Sequence, residues 1–385
     1  MDFTWSGEQL AIQESARRFA QDKLFPEYQN NDSKHTFDRD MLKEMGGLGL
    51  IGSELSERYG GLKLGYVTAG LITEEISRAD FNVAYVQILA GLNGGIIEKF
   101  AAPHLAEEWI GRIISGESIV AIALTDPSAG SDAANLKLKA ERKGDVFVLN
   151  GEKTSISAAA QADAAVVFVR TGSEEDKARG VSAFLMPLDN PAIARTHFDD
   201  LGESIVGRGS LFFDNVEVPA ENMLGEEGLG FIQVMEGFDY SRALIGLQCL
   251  AAAKTSVEES WEHVTTREAF GKKISKFEGV SFPLAEAETF IEAAKLLCYK
   301  TLWLRDQGKP HTAEVAMCKW WAPKVSFEII HNCLLAHGHG GYSKDYPIQQ
   351  GLRDVLGLQI GDGTSQIQKI IIAREKIGRD AMPYL

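Results

Sequence analysis

Apolar residues recur at helical spacing through the first third of the chain, give way to short β-rich runs, and then return to helical spacing. In "SGEQLAIQESARRFAQDKLF" Ser6 stands two residues before Glu8 as a helix cap, followed by Leu10, Ile12, Ala16 and Phe19 at mixed helical spacing. "FDRDMLKEM", "VTAGLITEEISRA" and "AEEWIGRII" continue in that style. From residue 119 "SIVAIALTDP", "DVFVLNG", "AAVVFVR", "VSAFLMPL" and "GSLFFDNVEVP" read as strands, separated by turn clusters such as "RKGD" and "TGSEEDKARG". After "GEEGLGF" the long period returns, and Phe290, Ala294, Leu297, Thr301 and Leu304 are expected on one face of a long helix. The pattern predicts three units: helical over 1–118, antiparallel β over 119–226 and helical over 227–385. Strands do not alternate with helices, which disfavours a doubly wound sheet.

Composition narrows the class. A chain of 385 residues that is 45% hydrophobic is too apolar to be disordered and long enough for two or three packed domains. The net charge of -15 is spread without a Lys/Arg-rich tract, which argues against nucleic acid or an anionic membrane as the main partner. The N-terminus lacks a basic segment followed by an apolar one, and no run reaches about 18 uncharged apolar residues, so a soluble cytoplasmic protein without membrane insertion is expected. Cys249, Cys298, Cys318 and Cys333 lie far apart among apolar or helix-forming neighbours and read as buried reduced thiols.

Four motifs carry candidate chemistry. "GLGLIG" spells the dinucleotide fingerprint at Gly47, Gly49 and Gly52, but it follows the helical stretch "RDMLKEM" where the fingerprint needs a strand. A helix-ending glycine turn is the better reading. His331, His337 and His339 of "HNCLLAHGHGGY" lack an HExxH arrangement or an accompanying acid or Cys cluster, so no metal site is expected. "ALTDPSAGSDAANLKLKA" ends a strand in a small-residue loop whose amides and hydroxyls either approach a flat or phosphorylated ligand or form an ordinary turn. In "GLQIGDGTSQIQK", Asp362 between Gly361 and Gly363 is equally a turn residue or a base.

Taken in order, "TDPSAGSD", "LNGEK", "DNVEVPAENMLGEEGLGF", "TTREAFGKKI" and "DGTSQIQKIIIARE" resemble the acyl-CoA dehydrogenase family over essentially the whole chain. The resemblance implies an N-terminal α-helical domain, a middle antiparallel β-barrel or sandwich domain and a C-terminal four-helix bundle. It also implies a homotetramer, one FAD per subunit, and electron-transfer flavoprotein as acceptor. By the same resemblance Leu124 and Thr125 meet the flavin ring, while Gly130 and Ser131 meet the FAD pyrophosphate, with Ser131 also near the CoA arm. Ser155 and Ser157 occupy the triplet where an aromatic residue usually packs on the flavin. Arg267 and Phe270 reach the FAD of an adjacent subunit, Gly338 belongs to the adenosine-side motif, and Thr364 and Gln366 face the cofactor. Asp239, Arg242 and Gly363 fall at CoA or substrate positions. Glu278, Leu335 and His339 depart from the family pattern on the adenine side.

The implied reaction removes a proton from the Cα of an acyl-CoA thioester while hydride leaves Cβ for flavin N5. Hydrogen bonds from the amide of residue 362 and a ribityl hydroxyl stabilise the developing enolate. Asp362 is the expected base, because the alternative family position on the long helix holds Ser241. Most of the family has a glutamate there, and aspartate reaches about 1.5 Å less far. Gly361 and Ser155 replace two large rings, so the expected substrate is bulky. Aspartate here is a feature resembling the dehydrogenases of alicyclic esters such as cyclohexane-1-carbonyl-CoA. Short branched-chain or cyclohexene-carbonyl-CoA is the alternative, an oxidase is a third option within the fold, and a redox-inactive flavin- or CoA-binding assembly protein is the alternative of another class.

Overall fold

The computed structural model describes residues 4–382 and holds three units in the expected order. Helix α1 (Gly7–Phe19) starts at a capping box, in which Gln9 N donates to Ser6 Oγ at 3.1 Å and Ser6 N donates to Gln9 Oε1 at 2.9 Å. After α2 (Tyr28–Asn31) and α3 (Arg39–Gly47), helices α4 (Tyr66–Ala79) and α5 (Ala84–Phe100) are buried on nearly every face. Helix α6 (Pro103–Ile114) closes the unit and carries Pro103 at its start, where a missing N–H costs nothing. "GLGLIG" is the turn that ends α3, with Gly49 and Gly52 at φ 71° and 59°, and no strand precedes it.

The middle unit is one seven-stranded sheet: β1 (Val120–Ala123), β2 (Lys139–Lys143), β3 (Val146–Ile156), β4 (Ala164–Arg170), β5 (Val181–Pro187), β6 (Ile193–Arg195) and β7 (Gly209–Pro219). The order is β1-β4-β2-β3-β7-β6, with β5 also on β4. The expectation of an antiparallel unit needs correction at β4, because β1 runs parallel to it, Val120 pairing with Ala164 and Ala123 with Val167, and β2 meets it in parallel at Lys139 and Arg170. Strand β4 is buried at all its positions, and such an apolar run carries no alternation from which direction could be read.

In the last unit α7 (Gly230–Thr266) leads through a short hairpin, β8 (Glu268–Ala269) and β9 (Lys272–Lys273), into α8 (Glu278–Asp306) and α9 (Thr312–Ala336). Two short helices, α10 (His339–Tyr342) and α11 (Ile348–Gly357), precede α12 (Ser365–Ile377). Helix α9 packs on α7, α8 and α12, forming the four-helix bundle, and α4 and α5 lean on α7 from the first unit. The buried face of α8 is rotated from expectation: Ile291, Ala294, Cys298 and Thr301 point inward while Phe290 is 45% exposed. Adjacent apolar residues satisfy the same period, so spacing alone could not choose between Phe290 and Ile291. All four cysteines are free and buried. Among the described residues no helix is long and apolar enough to cross a membrane, and no cluster of metal-ligating side chains occurs.

Candidate active site

The turn carrying Asp362 joins α11 to α12. Asp362 has φ 55° and Gly363 φ 92°, both left-handed, and aspartate tolerates this region better than most side chains. Glycine suits 363 on two counts, its φ of 92° and the 2.7 Å at which a Cβ would meet Gln368 Nε2, itself bonded to the turn. Gly361 is different. Its backbone is not left-handed, and a Cβ would meet nothing closer than Gly357 O at 3.8 Å, so glycine at 361 leaves space that the backbone does not demand.

Donors from three helices grip the carbonyls of this turn. Arg242 Nε of α7 donates to Asp362 O at 3.1 Å, and Gln368 Nε2 of α12 donates to both Asp362 O and Gly363 O at 3.1 Å. Lys319 Nζ of α9 donates to Leu358 O at 2.6 Å and to Gly363 O at 3.4 Å. The Asp362 carboxylate, half-buried, accepts one long hydrogen bond from Ser241 Oγ at 3.4 Å. Arg242, expected on the CoA arm, is 4% exposed, lies over the Phe238 ring at 5.0 Å and also holds the base turn. Burial pulls its guanidinium down, against the charges of Asp362 and Asp239. Asp239 accepts from Thr312 Oγ1 at 2.6 Å. Thr364 stands at the start of α12 without a side-chain capping bond, and Gln366 is exposed.

Beneath the turn the three units meet. Glu203, from the loop before β7, accepts from Tyr85 Oη of α5 at 3.0 Å and pairs with Arg208, whose guanidinium it raises. Asp354 of α11 accepts from Glu203 N at 2.7 Å, Tyr28 Oη at 2.8 Å and Asn82 Nδ2 at 3.1 Å. Burial lifts the Asp354 carboxyl from 3.8 to about 7. The fold therefore binds a proton that the unfolded chain releases between those values. Stability from this group is complete below about pH 4, falls as pH rises to about 7, and is level above. Chemical denaturation of wild type and Asp354→Asn at pH 4.5 and 7.5 is expected to show the gap moving against the wild type by on the order of 1–4 kcal/mol. A gap constant with pH would contradict this.

The "TDPSAGSD" loop is anchored by a buried ion pair that sequence reasoning left unassigned. Lys153 Nζ of β3 contacts Asp126 Oδ1 at 2.5 Å and Leu124 O at 2.7 Å, with the two side chains 0% and 2% exposed. Asp126 Oδ2 also accepts from Leu138 N at 2.9 Å and from Lys137 N. Burial lowers the Lys153 ammonium to about 8, with Asp126 opposing. Thr154 N donates to Thr125 O at 2.9 Å, tying the loop's start to β3. Gly130 and Ser131 are thereby held on an exposed rim. Ser155 is exposed at φ 57° in an irregular step of β3, and Ser157 follows it half-buried.

A third group lies at the far end of the bundle. Arg267 follows α7 about 25 residues beyond Arg242, roughly 37 Å at 1.5 Å per residue. Phe270 at φ 52° and Gly271 at φ 76° form the hairpin turn, and the Phe270 ring is 95% exposed. His263 stacks on His337 at 4.2 Å, which brings Gly338 (φ 61°) to the same end. Arg267, Phe270 and Gly338 thus form a set remote from Asp362 within one chain.

Sequence models of the acyl-CoA dehydrogenase family match residues 6–117 (N-terminal domain), 121–216 (middle domain) and 228–377 (C-terminal domain). A probable acyl-CoA dehydrogenase of Bacillus subtilis is 31% identical over 97% of this chain and 99% of its own. Mouse mitochondrial short-chain specific acyl-CoA dehydrogenase is 34% identical over 94% of this chain and 88% of its own. The solved butyryl-CoA dehydrogenase of Megasphaera elsdenii superposes with a TM-score of 0.94 at 31% identity, over 98% of this chain and 100% of that one. With all three domains matched in order, the chain belongs to the acyl-CoA dehydrogenase family of oxidoreductases.

Proposed function

We propose that the protein is an FAD-dependent dehydrogenase of alicyclic acyl-CoA thioesters in which Asp362 removes the Cα proton. The observation that carries the substrate class is Gly361: its backbone conformation does not require glycine, and a Cβ there would meet only Gly357 O, at 3.8 Å. With a base one methylene shorter than glutamate, a broad acyl group that fills this space brings its Cα toward the carboxylate. The reading of Asp362 rests on a half-buried carboxylate whose backbone is fixed from three helices.

The residues present fit FAD. The exposed amides and hydroxyl of Gly130 and Ser131, the open Gly338, and the exposed Arg267 and Phe270 are donors and a ring suited to a flavin dinucleotide. Leu124, Thr125, Ser155, Ser157, Thr364 and Gln366 would face the flavin half. The distance from Arg242 to Arg267 supports a site completed by another subunit of a homotetramer. When bound, FAD supplies the acceptor for the hydride leaving Cβ. The chain's own work is to place Cα against Asp362, to receive the proton on its carboxylate, and to offer the amide of residue 362 to the thioester oxygen. Asp239 and Gly363 line the substrate side, and electron-transfer flavoprotein is the proposed acceptor.

The short-chain reading is favoured by the names of the mouse and Megasphaera relatives. Anaerobic bleaching of the flavin by cyclohexane-1-carbonyl-CoA, a short branched acyl-CoA and butyryl-CoA separates the two. Fastest bleaching is expected with the alicyclic ester. Rapid bleaching by butyryl-CoA with an inert alicyclic ester would transfer the protein to the short-chain class. A colourless protein would remove the redox reading altogether. Slow return of colour in air is expected, and fast return would indicate an oxidase.

A further inference from the structure

Lys319 is an ammonium group in the middle of α9 with 1% of its surface exposed. A lysine is fully buried only at a cost unless its donors are matched. Its partners are the carbonyls of Leu358 and Gly363, which bracket the base turn on both sides of Asp362. Among the described residues no carboxylate is its direct partner. We propose that Lys319 is a positioning residue for the base, fixing the Asp362 turn through those two carbonyls.

Asp362, Cys249, Arg242 and Glu203 act on Lys319 electrostatically, and Tyr85 and Arg242 also face Asp362. Arg242 and Gln368 hold the backbone carbonyl of Asp362 itself, so the turn has backbone support that does not depend on Lys319. What Lys319 adds is a link across the turn, from Leu358 O before Asp362 to Gly363 O after it. Burial lowers its ammonium to about 8, with Asp362 pulling the other way, so it is mainly protonated at neutral pH.

This inference rests on Asp362 being the base, and the experiment separates the two. Lys319→Gln keeps a donor and removes the charge; Lys319→Arg keeps the charge on a larger head. Each FAD-loaded variant is mixed anaerobically with acyl-CoA, and the rate of flavin reduction is followed over a range of acyl-CoA concentrations. Lys319→Gln is expected to lower the limiting rate about tenfold or more while the half-saturating acyl-CoA concentration and the FAD content stay at wild-type values. Lys319→Arg, which keeps charged donors for the two carbonyls, is expected to lose less of the limiting rate with the same two quantities unchanged. A scaffold role alone would lower FAD content and substrate affinity together with the rate. An unchanged limiting rate in Lys319→Gln, or a loss of FAD content matching the loss of rate in either variant, overturns the proposal. Loss of reduction in Asp362→Ala alongside such a result would confine the failure to Lys319. Normal reduction in Asp362→Ala would overturn the base assignment first.

Discussion

Asp362→Ala is expected to retain FAD and to reduce it with acyl-CoA roughly 10²–10⁴-fold more slowly than the wild type, the range a positioned general base contributes. The substitution leaves the turn's hydrogen bonds in place, because Arg242, Gln368 and Lys319 bind carbonyls of the turn and not the carboxylate. Alanine keeps every one of those acceptors. Only the long contact from Ser241 is lost, and a serine hydroxyl cannot substitute as a base of comparable strength. Stopped-flow absorbance under anaerobic conditions reads the rate, and the flavin spectrum before mixing reports occupancy. Near-normal reduction in this variant would refute the assignment.

Asp126→Ala is expected to cost the fold about 3–5 kcal/mol, because it leaves the Lys153 ammonium buried without its counter-charge. It also strips the acceptor from Lys137 N and Leu138 N, which tie the "TDPSAGSD" loop to β2's approach. The exposed rim of Gly130 and Ser131 depends on that anchor, so the purified variant should carry much less FAD than the wild type. Denaturant midpoints and the ratio of flavin to protein absorbance measure both effects. A loss under about 1 kcal/mol with full FAD content would show that the pair does not anchor the loop.

The order helical, β, helical was legible from periodicity, since local spacing records which residues are buried in each element. The Ser6 helix cap and the dismissal of "GLGLIG" were legible for the same reason, because both depend on residues within one turn of each other. The direction of β1 was not. Strand β4 beside it is apolar up to Arg170, and direction is set by a connection that passes through β2 and β3. Asp362 emerged from motif order, but its supports did not. Lys319 sits within "AMCKWWA", a helical stretch in which an isolated lysine reads as solvated, and the carbonyls it holds lie about 40 residues away. Arg242 drew attention as a charge for CoA, whereas its burial and its bond to Asp362 O follow from the meeting of α7 with the last turn. The Tyr85–Glu203–Asp354 junction joins all three units, and pairings across such separations leave no trace in local pattern.

The central claim, removal of the Cα proton by Asp362, is tested most directly by isotope exchange. FAD-loaded wild type and Asp362→Ala are incubated anaerobically with acyl-CoA in deuterated water, and deuterium at Cα of the recovered thioester is measured by mass spectrometry. The wild type is expected to incorporate deuterium at Cα and the variant essentially none. Equal incorporation by the two proteins would contradict the account.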